Sequence, residues 1–466
     1  MRGWEGSTAG GDRRGDPVAR VLAEWVVRLR PADVPPDVRH AACRHLLDGL
    51  GTALAAARQH AADPAVTVAI GLGGPPESTV LGTRSRVGAP AAALASGTLV
   101  HALDFDDTHP GGLVHPSAAV LPAALAVGEQ VGATGAEVLT AAVAGYEVVC
   151  RLGAAAPHAF HARGLHATSV CGVLAAAAVA GRLSGLDADR LTAALGIAGS
   201  SAGGLLEFLH AGTSTKQLHP GLAGAAGIVA ARLAAAGASG PDTVLEGDFG
   251  VYATLAGRSD VDPKAILDGL GDDWETSRIA VKPYPACQLL HASVDAARSV
   301  AVAAAEIVSV VVDLHPGAVP IVAEPARAKV RPRTSYEAKF SLPWTVAAAL
   351  VDGTVGVDTY APDRLDRPAV TSLADLIAFR VVDSPGTAAN APGRLVVRLA
   401  DGSELAAETR PDAPVRDEDL IAKAITNAGG SSAATDALVR ATLDLGGQPD
   451  LAAILAAAAT IGGAGG

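Results

Sequence analysis

The chain has 466 residues, 49% hydrophobic but only 3% aromatic, and a net charge of -12. That length exceeds one ordinary core and predicts two domains, while the acidic balance and the lack of any long Lys/Arg run exclude a nucleic-acid footprint. A core filled by Ala, Val and Leu suits closely packed helices, and the apolar stretches Val170–Gly181 and Leu451–Gly466 are too short and too rich in Ala and Gly to span a membrane.

Met1–Asp16 mixes Gly, Arg and acids without an apolar run, so a tail with no secretory signal is expected there. From Pro17 to about Asp272, apolar residues recur at three- and four-residue spacing. They predict helices over Val18–Leu29, Val38–Ala57, Ser117–Val131, Gly135–Leu152 and Ser169–Leu183. Pro36-Asp37 and Thr134–Glu137 read as helix starts with acids in the first turn. After Asp272 the texture changes. β-Branched runs predict strands at Ile307–Val312 and Ile377–Val382, and Leu395–Leu399 and Glu404–Thr409 flank the hairpin turn Ala400-Asp401-Gly402-Ser403. Helices are expected among them at Ala292–Ala305 and Leu342–Asp352, and helical texture returns from Asp417. The expected fold is mainly α: a tail at 1–16, a large all-helical domain from 17–271 and 410–466, and an inserted smaller α+β lid domain at 272–409. A cleft between the two domains is the expected ligand site.

Cys43, Cys150, Cys171 and Cys287 show neither CxxC pairing nor zinc-ligand spacing, and read as reduced thiols of a cytoplasmic protein. Of 36 basic residues six are Lys: Lys216, Lys264, Lys282, Lys329, Lys339 and Lys423. In a chain that otherwise writes Arg, a Lys beside His and Gly-Pro turns marks a place for a compact, tunable ammonium.

Nine of the 13 histidines lie between His101 and His291. The densest group runs His101-Ala-Leu-Asp104-Phe-Asp106-Asp107-Thr108-His109-Pro, then His115-Pro116-Ser117, with Ser117 expected to cap the following helix. A cap-and-turn segment whose Asp side chains satisfy loop amides is the plain reading of this group, and its spacing fits no metal motif. Asp-Phe-Asp-Asp also matches the DxDD acid of class II terpene cyclases, but so few aromatics leave no wall to guide a carbocation. His166 stands at a Gly-flanked helix entrance in Gly164–Thr168. Lys216 and His219, three apart in Gly212–Gly221, share one face of a helical turn. In Val281-Lys282-Pro-Tyr284-Pro-Ala-Cys287, ahead of His291, the prolines favour an extended loop that fixes Lys282. Together these segments offer two ammoniums for carboxylates and imidazoles for proton transfer, with no Gly-rich phosphate loop, nucleophile elbow or zinc signature.

In these four segments, supported by Lys339-Phe-Ser-Leu-Pro and Ala348–Gly353, the chain resembles the MmgE/PrpD family over roughly residues 17–430. The resemblance implies a helical domain with an α+β lid, a homodimer, and no metal or organic cofactor. It also implies a pocket lined by Asp104, Thr108, His115, His166, Lys216 and Lys282. The decarboxylases of the family have His where this chain has Cys287 and Tyr where it has Trp344, which points away from cis-aconitate itself as substrate. The expected function is lyase action, by dehydration or decarboxylation, next to a carboxylate of a small di- or tricarboxylate. Lys216 and Lys282 would hold the carboxylate, His115 or His166 would move the proton, and Asp104 would orient an imidazole. Thr108, His109, His219, Tyr284, Cys287 and Trp344 are expected to contact substrate. Epimerisation or isomerisation is the second reading, and recruitment as a cyclase or binding scaffold for a larger metabolite the third.

Overall fold

The computed structural model describes residues 16–384, 387–410 and 415–463. Apart from Asp16, the tail expected at 1–16 lies outside them. The apolar periodicity becomes helices with small shifts at their ends: α1 (Val18–Arg28), α2 (Pro36–Arg58), α3 (Asp63–Leu72), α4 (Ala89–His101), α5 (Pro116–Val131), α6 (Gly135–Ala154), α7 (Ala167–Leu183), α8 (Ala188–Gly199) and α9 (His219–Ala235). Both expected starts hold. Pro36 opens α2 with Asp37 in its first turn, where a missing N–H costs nothing and a carboxylate meets the positive end of the helix dipole. Thr134 and Glu137 form a reciprocal capping box at α6.

Helix α7 is buried from Ala167 to Gly181 and packs against α5, α6, α8 and α9. Helices α4 and α9 cross where both carry glycine: a Cβ on Gly97 would stand 2.8 Å from the Cα of Gly221, and one on Gly221 would strike the Leu94 carbonyl. This close approach brings the last residue of α4, His101, toward the first turn of α9. Thr215–Ala235 is long and apolar enough to cross a membrane by length and composition, a stretch not among the two that the sequence reading weighed. Instead a 3₁₀ turn at Thr215–Leu218 runs straight into α9, which packs against α4, α7 and α8.

Residues 284–397 build a second hydrophobic core. Its sheet has four strands, β1 (Ile307–Leu314), β2 (Ile377–Val381), β3 (Gly393–Leu399) and β4 (Glu404–Thr409), in the order β2-β1-β3-β4: β1 runs parallel to β2 and antiparallel to β3, which pairs with β4 across the expected turn. Helices α10 (His291–Ser299) and α11 (Leu342–Asp352) pack on each other, and α12 (Pro368–Ala374) packs on α11. The helix expected to reach Ala305 ends at Ser299, because Val300 and Val302 pack alternately against this core as extended chain before a 3₁₀ turn at Ala304–Glu306. Helices α13 (Asp417–Asn427), α14 (Ala433–Leu443) and α15 (Ala452–Gly462) return to α2, and the large core joins residues from Val18–Ile279 with those from Ala428–Ile461.

Candidate functional site

At the end of α4 the chain turns through Asp104, whose φ of +52° lies in the left-handed region that Asp tolerates better than most residues. The turn aims its carboxylate into the interior. There Asp104 Oδ1 accepts from Lys216 Nζ at 2.7 Å and lies 3.3 Å from Lys282 Nζ. Lys216 arrives on the 3₁₀ turn before α9. Lys282 arrives because Thr108 and Ala280 exchange backbone hydrogen bonds of 2.9 and 2.8 Å, and its Nζ also donates to the Asp104 carbonyl at 3.0 Å. Burial alone would push the Asp104 carboxyl up, but the two ammoniums outweigh it and hold the group well below the usual carboxylate range.

Imidazoles cluster against this pair. His101 is fully buried, 4.7 Å from His115 and 5.5 Å from His166 between ring centres, and His166 lies 5.3 Å from His219. His101 Nδ1 meets Asp106 Oδ2 at 2.7 Å. His115 Nδ1 donates to the Asp107 carbonyl at 3.0 Å, with Thr108 Oγ1 3.4 Å away, and its Nε2 lies 4.0 Å from Asp104 Oδ1. His166, where α7 begins, shares a proton between its Nδ1 and that of His219 at 3.2 Å. Burial pushes His115 and His166 well below 6.5, Lys216 adding to it at His166, and burial followed by His101 and Lys216 lowers His219 to about 4, so these three imidazoles are neutral bases at pH 7. Among the described residues, His101 Nε2, Asp104 Oδ2 and Asp106 Oδ1 are buried with no hydrogen-bond partner.

Three neighbouring carboxylates thus have three different tasks. Asp107 accepts from the N–H and hydroxyl of Ser117 at 3.0 and 2.6 Å, so Asp107, rather than Ser117, caps the start of α5. Burial, reinforced by Asp48, keeps Asp107 well above the usual range. Behind the site, Lys423 donates to the carbonyls of Phe105 and Lys282, both at 2.9 Å, and pairs with Asp48 at 2.7 Å. His101, Asp106 and Lys423, named in the Asp/His group and among the rare lysines, are the members to which the sequence assigned no role in the site. The high Asp/His density and the rarity of Lys were the available signals.

On the smaller domain's side, Cys287 adjoins the site, its thiol pushed up by burial and by Asp104. Phe208 from the helical domain packs with Tyr336 and Phe340 across the cleft, and Lys216 Nζ stands 5.0 Å from the Phe340 ring centre. A cavity of about 1220 Å³ opens between the domains, lined by Leu103, Gln217, Arg331, Arg333, Tyr336 and Lys339 among others. Tyr336 and Lys339, which line that cavity, also feel the Asp104 charge. A depression of similar size around Thr243 and Phe249 carries none of the clustered groups.

Three expected contacts lie outside the cluster. His109 spends Nε2 on Glu275 at 2.8 Å and Nδ1 on the Gly112 N–H at 3.1 Å. The Tyr284 hydroxyl is engaged with Asp295 and Arg298. Trp344 is fully buried in the smaller core, donating its indole N–H to the Leu365 carbonyl at 3.1 Å. In each case the polar atom that would reach a substrate already serves the fold.

His101, His115 and His166 present potential ligand atoms within 4.8 Å of one another, as do His101, Asp104, Asp106 and His115. Those are donor types for a transition metal. Yet a dication there would sit beside Lys216 and Lys282, which already balance Asp104. The charge pattern suits an anion.

The MmgE/PrpD N-terminal domain matches residues 20–264 and the MmgE/PrpD C-terminal domain residues 284–445. The chain is 29% identical over 442 residues to the cis-aconitate decarboxylase-like protein oryM of Aspergillus oryzae, covering 86% of this chain and 89% of that protein. It is 28% identical over 419 residues to cis-aconitate decarboxylase of Aspergillus terreus, 83% of this chain and 84% of that one. The human cis-aconitate decarboxylase is 34% identical over 298 residues, 60% of this chain and 59% of that protein.

Proposed function

The chain belongs to the MmgE/PrpD family and is a lyase, and from that premise we propose that it removes CO₂ from a small di- or tricarboxylate without a metal or organic cofactor. The observation that carries the reading is the buried meeting of Lys216 and Lys282 on one carboxylate beside neutral imidazoles. Departure of CO₂ leaves an electron pair on carbon. Fixed ammoniums in a dry site stabilise that charge, and any carboxylate it spreads onto, better than mobile water does. A neighbouring imidazole then supplies the proton. The relatives named as decarboxylases favour CO₂ loss over loss of water. Cys287, a thiol beside the lysines where the family's decarboxylases have His, favours a substrate of the cis-aconitate type other than cis-aconitate itself.

Incubation in D₂O with citrate-, aconitate- and aspartate-like acids, followed by NMR, tests this. The expected result is a product shortened by one carboxyl group, with a deuteron at the carbon that carried it. Deuterium entering recovered acid without net loss would replace the reading with epimerisation, and loss of water would replace it with dehydration. An absence of both turnover and exchange across the panel would remove it.

A further inference from the structure

We infer that Tyr336 and Lys339, on the smaller domain's wall of the interdomain cavity, form a subsite for a second carboxylate of the substrate, apart from the one that Lys216 and Lys282 hold, and so select for an acid that carries it. The inference rests on the reading of this cleft as a polycarboxylate site and assigns the groups that recognise the part of the acid that does not react.

Both residues come from one helical turn. Thr334 caps the short helix Ser335–Ala338, and Lys339 follows it, three residues after Tyr336, so the two side chains share one face. Both line the cavity of about 1220 Å³, and both are buried, Tyr336 being 7% and Lys339 3% exposed. Their turn is fastened to the lysine cluster. The Cys287 N–H donates to the Lys339 carbonyl at 2.9 Å, and the Phe340 ring centre lies 5.4 Å from that of Tyr336 and 5.0 Å from Lys216 Nζ. Lys339 Nζ donates to the Pro285 carbonyl at 2.9 Å, while Lys282 Nζ lies 3.3 Å from the carbonyl of the next residue, Ala286. Two ammoniums that grip successive carbonyls of one loop are within reach of one small polycarboxylate.

Lys216, Lys282 and Lys423 each meet a carboxylate, Asp104 or Asp48. Lys339 meets none among the described residues: it has the Pro285 carbonyl and the face of Tyr360, 4.5 Å from Nζ to the ring centre. A buried cation without a counter-ion is costly, and burial lowers this ammonium to about 7 although Asp104 draws it up. An anion brought beside it relieves that cost. Tyr336 supplies the second donor. Its hydroxyl is buried with no partner among the described residues, and burial followed by Asp104 keeps it protonated. A hydroxyl left unpaired in the interior forfeits the hydrogen bond that water would have made. A carboxylate accepts on both oxygens and answers both donors at once. Of the other charged residues lining the cavity, Arg331 and Arg333 are spent on Asp375 and Glu337, and Asp366 is exposed, so Lys339 is the buried charge of that wall.

Titration calorimetry of the full-length protein with tricarballylate, and with glutarate, the same chain without the central carboxylate, reads the subsite. The wild-type protein should bind tricarballylate more tightly by about 10–10²-fold, the worth of hydrogen bonds to a charged group. Tyr336→Phe should cut that ratio by about 10-fold without lowering the melting temperature, because the hydroxyl it deletes has no partner to lose. Lys339→Met should bring the ratio close to one. A merely structural role would move the melting temperature and leave the ratio as it is. Should Lys339→Met fail to fold, Tyr336→Phe alone decides. A wild-type ratio near one, or a ratio unchanged in Tyr336→Phe, overturns the inference, and the decarboxylase reading then stands if any acid of the D₂O panel still loses CO₂. A ratio that falls in the variants while no acid loses CO₂ keeps the subsite and overturns that reading.

Discussion

Lys216 and Asp104 show what one side chain decides here. Replacing Lys216 by Met removes one of two ammoniums from a buried carboxylate and from the anion it would help bind. The expected outcome is a fall in kcat/KM of about 10²–10³-fold, the scale of a lost preorganised donor, shared between KM and kcat; unaltered kinetics would take Lys216 out of the mechanism. The imidazoles make a second prediction. Burial holds His45 and His291 at about 3 and His161 and His219 at about 4, with His115 and His166 also well below 6.5. An unfolded chain protonates these groups near 6.5 while the folded chain does not, so below that pH the unfolded state binds more protons and stability falls with acid. The melting temperature should therefore drop steadily as pH falls from 6.5 toward 4, and a flat profile would show that these rings are hydrated. At this scale the sequence revealed residue types but not tasks. Asp104, Asp106 and Asp107 look alike in the chain. A left-handed turn, an imidazole and a helix start distinguish them. Trp344 follows the matching Lys339–Pro343 as a departure from the family pattern, but sequence does not reveal that its ring is buried in the smaller core.

Among the elements, the crossing of α4 and α9 positions most of the site, since His101 ends one and His219 begins the other. Gly97 and Gly221 permit the approach. Gly221→Val should push the helices apart, destabilising the fold by roughly 1–3 kcal/mol in urea unfolding and lowering turnover beyond that loss. Val229→Ala on the exposed side of α9 should do neither. Full activity in Gly221→Val would mean that the crossing does not set the site. Helices and strands were largely legible because their burial is periodic, and the hairpin turn fell where Asp401-Gly402 placed it. The failures share a cause. Ala-rich chain carries little propensity contrast, so neither the end of α10 at Ser299 nor the entry into α9 through His219-Pro220 could be read from residue type.

Across the whole molecule, the return of the last helices, α13–α15, to α2 closes the site from behind. Lys423 on α13 binds the Phe105 carbonyl, the Lys282 carbonyl and Asp48, fastening a turn of the helical domain to the loop of the smaller one. Lys423→Met strands the Asp48 charge and releases both carbonyls, so a loss of about 3–5 kcal/mol is expected, as for other broken buried pairs, measured by denaturant unfolding; a change under 1 kcal/mol would mean that solvent reaches the pair. The cleft between domains was legible from the change of texture near Asp272, whereas the clamp was not, because Asp48, Phe105, Lys282 and Lys423 come from four segments far apart in the chain. Lys216, Lys282 and the imidazoles should converge on one anion-binding hollow, and a crystal structure of the wild-type protein with tricarballylate checks that. A ligand carboxylate is expected within hydrogen-bond reach of both lysine ammoniums, beside the imidazoles. A ligand seated elsewhere, such as the depression around Thr243 and Phe249, with the lysines still closed on Asp104, would contradict it.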